Sequence, residues 1–139
     1  MIIVRVYGVV RNNKGDYLLS TEEYSGKRFT KFIGGGLEQG EGTRDCLKRE
    51  IMEETGRNAD ILNHLYTTDF YLQSAFNPND QIISIYYSAS IDDAESMPLK
   101  PMPNEHLNQV LQWVPQAKLH PDMVTFPADK HLVKWLGSR

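Results

Sequence analysis

An α+β fold, of the mixed α/β class, is predicted for this 139-residue chain by three features. Runs rich in Val, Ile and Tyr at residues 2–10 and 81–91 read as strands. Residues 43–55 and 127–136 carry apolar side chains at helical spacing and read as helices. Between these segments stand turn-forming clusters, Asn12-Asn13-Lys14-Gly15-Asp16 and Asn77-Pro78-Asn79-Asp80.

In chain order, residues 2–10 form a buried strand, and the turn at 12–16 returns the chain into 17–21 as its hairpin partner. Residues 29–33 form a short strand that delivers Gly34-Gly35-Gly36. Three successive glycines lose the most backbone freedom on ordering, so a tight turn or a close backbone approach is expected there, not the interior of a strand. The first helix starts at Thr43 as N-cap, places Asp45 at the positive end of its dipole and stops at Gly56. Leu47 and Ile51 face the core, while Arg44 and Lys48 point to water.

Residues 61–72 and 81–91 form a long hairpin that carries Tyr66, Phe70, Tyr71, Phe76, Tyr86 and Tyr87. These aromatics serve as core or cross-strand pairs, with one or two available to stack on an aromatic ligand. Residues 92–105, with Pro98, Pro101 and Pro103, are too proline-rich for a helix and long enough to suggest a functional loop. The last helix, 127–136, opens on Pro127 and turns Leu132, Val133 and Leu136 inward, sealed by Trp135.

A single domain spanning 1–139 is expected, since the chain is long enough for a core and shows no repeat, low-complexity tract or linker. Cys46 is the only cysteine, which excludes an internal disulfide and points to a reducing compartment, the cytoplasm; in a helix it reads as packing rather than a nucleophile. No apolar run reaches the roughly 18 residues of a membrane span, and Met1 to Arg5 lacks the layout of a signal peptide. A net charge of −3 argues against broad nucleic-acid binding, yet an acidic protein binds polyphosphates through metal ions. One basic cluster, Lys27, Arg28 and Lys31, precedes the glycines and is either a solvated turn or a substrate-binding group.

Glu50, Glu53 and Glu54 stand at i, i+3 and i+4, so three carboxylates project from one helix face. Each like-charged pair costs roughly 0.2–0.5 kcal/mol even in water, and a hard divalent cation relieves the repulsion. Oxygen-only ligands suit Mg²⁺ or Mn²⁺, and Mg²⁺ so held usually acts on substrate phosphates. A solvated acidic helix is the plainer alternative, but it leaves Arg49, Glu41 and the glycines unexplained.

The spacing Gly35, five residues, Glu41, seven residues, Arg49-Glu50-Ile51, one residue, Glu53-Glu54, one residue, Gly56 resembles the signature box of the Nudix (MutT-like) hydrolases. The match covers about a sixth of the chain and departs from the family at Arg57, where a small aliphatic residue is usual, and at Ile33, where proline is common. Neither departure touches a charged position. The resemblance implies an α/β/α sandwich with a mixed sheet between helices, with residues 111–114 as a short strand and 117–119 as a helical turn.

It also implies a Mg²⁺-dependent pyrophosphohydrolase, with Mn²⁺ as a substitute, acting on a nucleoside diphosphate linked to another moiety, and a homodimer is common in that family. Glu53 and Glu54 would bind metal, and Gly35 would offer its carbonyl. Glu50 would be a further ligand or the group that activates water. Arg49 would pair with a box glutamate and hold the ligands in register, and Glu41 would tie the glycines to the helix. Glu105 resembles the carboxylate that many members bring from outside the box, the alternative being an exposed loop acid; Glu50 and Glu105 both remain candidates for activating water. A catalytically inert nucleotide-binding module is the alternative function. Isomerase chemistry on isoprenoid diphosphates would call for a pocket cysteine, and Cys46 lies in the box helix instead.

Overall fold

The structure is a computed structural model in which residues 1–97, 102–103 and 108–139 are described. Its elements run β1 (Ile2–Val10), β2 (Tyr17–Tyr24), β3 (Lys27–Lys31), β4 (Ile33–Gly36), α1 (Thr43–Thr55), β5 (Ala59–Thr67), β6 (Gln81–Ile91), β7 (Met102–Pro103), β8 (Asn108–Val114) and α2 (Pro127–Gly137). Single 3₁₀ turns occupy Ala94–Ser96, Gln116–Lys118 and Pro121–Met123. The strands form two four-stranded sheets, β4-β1-β6-β5 and β3-β2-β8-β7. The first is mixed, because β1 and β6 run parallel over nine paired residues while β4 and β5 are antiparallel to their neighbours. A parallel pair needs a long crossover, and everything from β2 to β5 supplies it.

Alternation along β1 distributes the core. Val6 and Val10 pack with Leu18, Ile33, Leu47 and Ile51, which is the side covered by α1. Tyr7 and Val9 pack with Leu19, Phe32, Tyr86, Leu132 and Val133, which is the side covered by α2. The strands therefore lie between helices, in the sandwich that the resemblance implies. Leu47, Ile51 and Leu132 are fully buried, each contributing about 1.5–3 kcal/mol relative to exposure.

Several local expectations are corrected. Strands β1 and β2 do not form a hairpin: past the turn at 12–16 only Arg11 and Tyr17 bridge, and the two strands join different sheets. The strand expected at 29–33 breaks at Phe32, so that β3 and β4 also belong to different sheets. Gly34, Gly35 and Gly36 are strand residues after all, paired with Tyr7, Val6 and Arg5. The hairpin of β5 and β6 exists, but β5 ends at Thr67 and is bulged between Ile61 and Tyr66, leaving 68–72 outside the strand. Gly42, not Thr43, is the N-cap of α1; the Thr43 hydroxyl pairs with the Tyr87 hydroxyl at 2.6 Å. Arg44 is exposed, yet it donates to the carbonyls of Ile61 and Leu62 and lies over the Tyr87 ring.

Candidate active site

The acid face of α1 is placed by its apolar face. Leu47 and Ile51 lock the helix against β1 and β4, which brings Arg49, Glu50 and Glu54 over the three glycines of β4. Asp45 accepts from the Gly42 amide at one end of the helix, and Gly56, at φ 72°, closes the other. Two of the glycines are required for distinct reasons. Gly34 has φ +147°, and a Cβ there would overlap the Val6 carbonyl. At Gly35 the obstacle is the site itself, because a Cβ would lie 2.5 Å from Oε1 of Glu50.

Arg49 is the hub of the outer acids. Its Nη2 and Nε reach the two oxygens of Glu41 at 2.7 and 3.0 Å, Nη1 reaches Glu50 at 3.0 Å and Glu53 at 3.2 Å, and Nη2 also donates to the Gly36 carbonyl. Glu41 accepts the Glu38 amide as well, so one carboxylate ties the loop before α1 to the helix. Hydrogen bonding from Arg49, then from that amide, draws the Glu41 carboxyl down to about 2. Burial, followed by the charge of Glu53, raises Glu50 above the usual carboxylate range.

Glu54 faces a second, buried cation. Lys31 Nζ lies 3.2 Å from Glu22 and 3.6 Å from Glu54, and it donates to the carbonyls of Phe32 and Gly34. Gln109 donates to Ser20, Glu22 and Glu54, and the Gly34 amide completes the contacts of Glu54. Burial raises the Glu54 carboxyl, and Lys31 offsets only part of that rise. Burial alone would depress Lys31, but Glu54 and Glu22 outweigh it and keep the ammonium charged.

The basic cluster expected from Lys27, Arg28 and Lys31 is not one group. Lys27 and Arg28 are exposed and Arg28 pairs with Glu23 at 2.6 Å, whereas Lys31 is only 5 % exposed and engaged by four partners. The expected trio of carboxylates is likewise divided. Glu50 and Glu53 turn to Arg49, Glu54 turns to Lys31 and Gln109, and the Glu53 side chain is 57 % exposed. Among the described residues no three His, Cys, Asp or Glu side chains stand together as a metal site. Arg49 and Lys31 are the positive groups that stand among these acids. The donor chemistry still fits a hard divalent cation, since Glu50, Glu53 and Glu54 offer only oxygen and Gly35, having no side chain, lets the Glu50 carboxylate stand against its backbone. Glu105 lies outside the described residues.

Ser20, Glu22 and Gln109 carry no local signal in the sequence, since they reach the site only when β2 and β8 pair, Ser20 opposite Leu111 and Glu22 opposite Gln109. Arg5 and Asp129 were equally silent. They line a cavity of about 250 Å³ between β1, the chain at 72–77 and the first turn of α2.

A helix of acids is laid across a glycine strand, and one arginine gathers Glu41, Glu50 and Glu53. A family model of the NUDIX domain matches residues 1–136, and the chain belongs to that family: it is a Nudix hydrolase. Solved structures agree on the fold. The E. coli ORF135 protein is 22 % identical, with 99 % of this chain and 89 % of that one covered and a TM-score of 0.70. For the MutT protein from Methanosarcina mazei Go1 the values are 20 %, 99 %, 94 % and 0.76. An ADP-ribose pyrophosphatase from Streptococcus suis 89-1591 is 13 % identical, with coverages of 97 % and 87 % and a TM-score of 0.67. Among curated protein sequences none matches the chain. Nudix hydrolases generally use divalent metals, and no helix of the described residues is long and apolar enough to cross a membrane.

Proposed function

We propose that this Nudix hydrolase is a Mg²⁺-dependent pyrophosphohydrolase, accepting Mn²⁺ in its place, that cleaves the diphosphate of a nucleoside diphosphate linked to another moiety: a nucleoside triphosphate, a nucleotide sugar or a dinucleotide. The observation that carries this reading is the close approach of Glu50 to Gly35 beside Glu54, oxygen donors set against a backbone that tolerates no side chain. Glu50, Glu53 and Glu54, with the Gly35 carbonyl and Glu105, are the candidates to hold the cation. When bound, it neutralises phosphate oxygens and lowers the pKa of water.

The chain's own residues then have separable tasks. Arg49 holds Glu41, Glu50 and Glu53 in one arrangement. Glu50, raised by burial, suits a proton acceptor for the attacking water, work that typically contributes 10²–10⁴-fold. Glu54 is oriented by Gln109, Lys31 and the Gly34 amide before any substrate arrives. The second reading is an inert nucleotide-binding module, in which Arg49 and Lys31 are the counter-charges of the acids. A turnover screen of nucleoside diphosphate derivatives with Mg²⁺ or Mn²⁺ decides between the two. Hydrolysis by wild type that falls by orders of magnitude in folded Glu53→Gln and Glu54→Gln proteins supports the enzyme, and tight binding without turnover supports the module.

A further inference from the structure

Strand β2 sends its two successive glutamates to opposite faces. Glu23 pairs with Arg28 on the outside, whereas Glu22 points inward with Ser20 and is only 8 % exposed. Register decides its company: Gln109 of β8 stands directly opposite Glu22, and Lys31 of β3 stands opposite Ser20. Glu54 reaches the same spot from α1. Its Oε1 and that of Glu22 thus share one ammonium and one amide, and they do not share them evenly. Lys31 Nζ lies 3.2 Å from Glu22 and 3.6 Å from Glu54, while Gln109 Nε2 lies 3.2 Å from Glu22 and 2.8 Å from Glu54. Glu22 takes the charged donor at the shorter distance, and Glu54 takes the neutral one.

Two enclosed carboxylates on one lysine leave a surplus negative charge. Balancing Glu54 requires only Lys31, and enclosing a further carboxylate costs stability, so Glu22 is not accounted for by folding. The surplus has the sign that attracts a cation. A neutral amide orients a carboxylate without cancelling its charge, whereas an ammonium in direct contact cancels it. We propose that Glu22 is a positioning residue that holds Lys31 away from Glu54, so that Glu54 keeps its negative charge for a divalent cation while Gln109 fixes its direction. Without the Glu22 charge, Lys31 closes on Glu54 and occupies it. This rests on the pyrophosphohydrolase reading, which takes Glu54 as a ligand of the cation, and adds to it a residue from outside the acidic helix.

The test is Mn²⁺ titration of the full chain without nucleotide, free Mn²⁺ being read by electron paramagnetic resonance, in wild type, Glu22→Gln, Lys31→Met, the double variant and Glu54→Gln. Glu22→Gln is expected to weaken Mn²⁺ binding roughly tenfold, and Lys31→Met to strengthen it. In the double variant no ammonium remains to close on Glu54. The loss caused by Glu22→Gln should therefore shrink to about twofold there, a coupling of the size that contacting groups show. An equal loss with and without Lys31 would mean that Glu22 acts by its own field alone, which overturns the proposal. So does a Glu22→Gln protein that binds Mn²⁺ like wild type when Glu54→Gln does not. Mn²⁺ binding indifferent to Glu54→Gln overturns the ligand assignment beneath the proposal and the proposal with it. Should Lys31→Met fail to fold, the crystal structure of Glu22→Gln decides: Nζ of Lys31 drawn within hydrogen-bonding distance of Glu54 supports the proposal, and Nζ left at its present separation overturns it.

Discussion

Arg49 and Glu41 meet through two parallel hydrogen bonds, Nη2 to Oε1 at 2.7 Å and Nε to Oε2 at 3.0 Å, which leaves Nη1 free to hold Glu50 and Glu53. A lysine has no planar fork and can satisfy only part of this set. Arg49→Lys is therefore expected to fold normally and to lose roughly 10–100-fold in turnover or metal affinity. Steady-state kinetics beside circular dichroism checks this, and wild-type turnover would show that the fork is dispensable.

Gly34 and Gly35 are neighbours in β4, yet replacing them should fail in different ways. In Gly34→Ala the new methyl meets the Val6 backbone at a φ of +147°, and backbone cannot step aside, so a loss of about 3 kcal/mol or more is expected. In Gly35→Ala the methyl meets the carboxylate end of Glu50, 2.5 Å away, which can swing clear. Stability should then change by less than about 1 kcal/mol while turnover collapses. Urea denaturation and kinetics on both proteins separate the two outcomes; equal stability losses would contradict the difference drawn between them.

Lys31 is the counter-charge of a buried acid pair. Lys31→Met leaves Glu22 and Glu54 enclosed with no cation, and breaking a buried pair in this way typically costs about 3–5 kcal/mol. A loss of that size at pH 7 is expected in chemical denaturation. A variant as stable as wild type would show that Gln109 and the backbone alone sustain the two carboxylates.

Asp129 gives the protein a pH dependence opposite to that of an ordinary salt-bridged acid. Burial raises its carboxyl from 3.8 to about 6, so the folded state holds this proton more tightly than the unfolded chain does. Its contribution to stability is complete below about pH 4 and is lost as pH rises through about 6, a change of about 3 kcal/mol. Asparagine cannot titrate. Relative to Asp129→Asn, wild type should therefore lose stability between pH 4 and 6, measured by urea denaturation at four pH values; identical slopes would mean that the proton is not retained on folding.

What was legible in the sequence is what depends on near neighbours in the chain. The span of α1, the register of Leu47 and Ile51 on its inner side, the αL turn at Gly56 and the spacing of Arg49, Glu50, Glu53 and Glu54 are local matters of helix period and capping. The Nudix resemblance was legible for the same reason, because its box is one continuous loop and helix.

Tertiary structure alone decided which sheet each strand joins, and with it the chemistry around the acids. No local pattern shows that β1 pairs with β6 instead of β2, that the glycines lie flat in a strand, or that Gln109 reaches Glu54 from 55 residues away. The physical reason is that a buried charge takes whatever partner the packing brings. Lys31, read in sequence as the end of a basic cluster, is pinned between Glu22 and Glu54 because sheet pairing closes that space and excludes water from it.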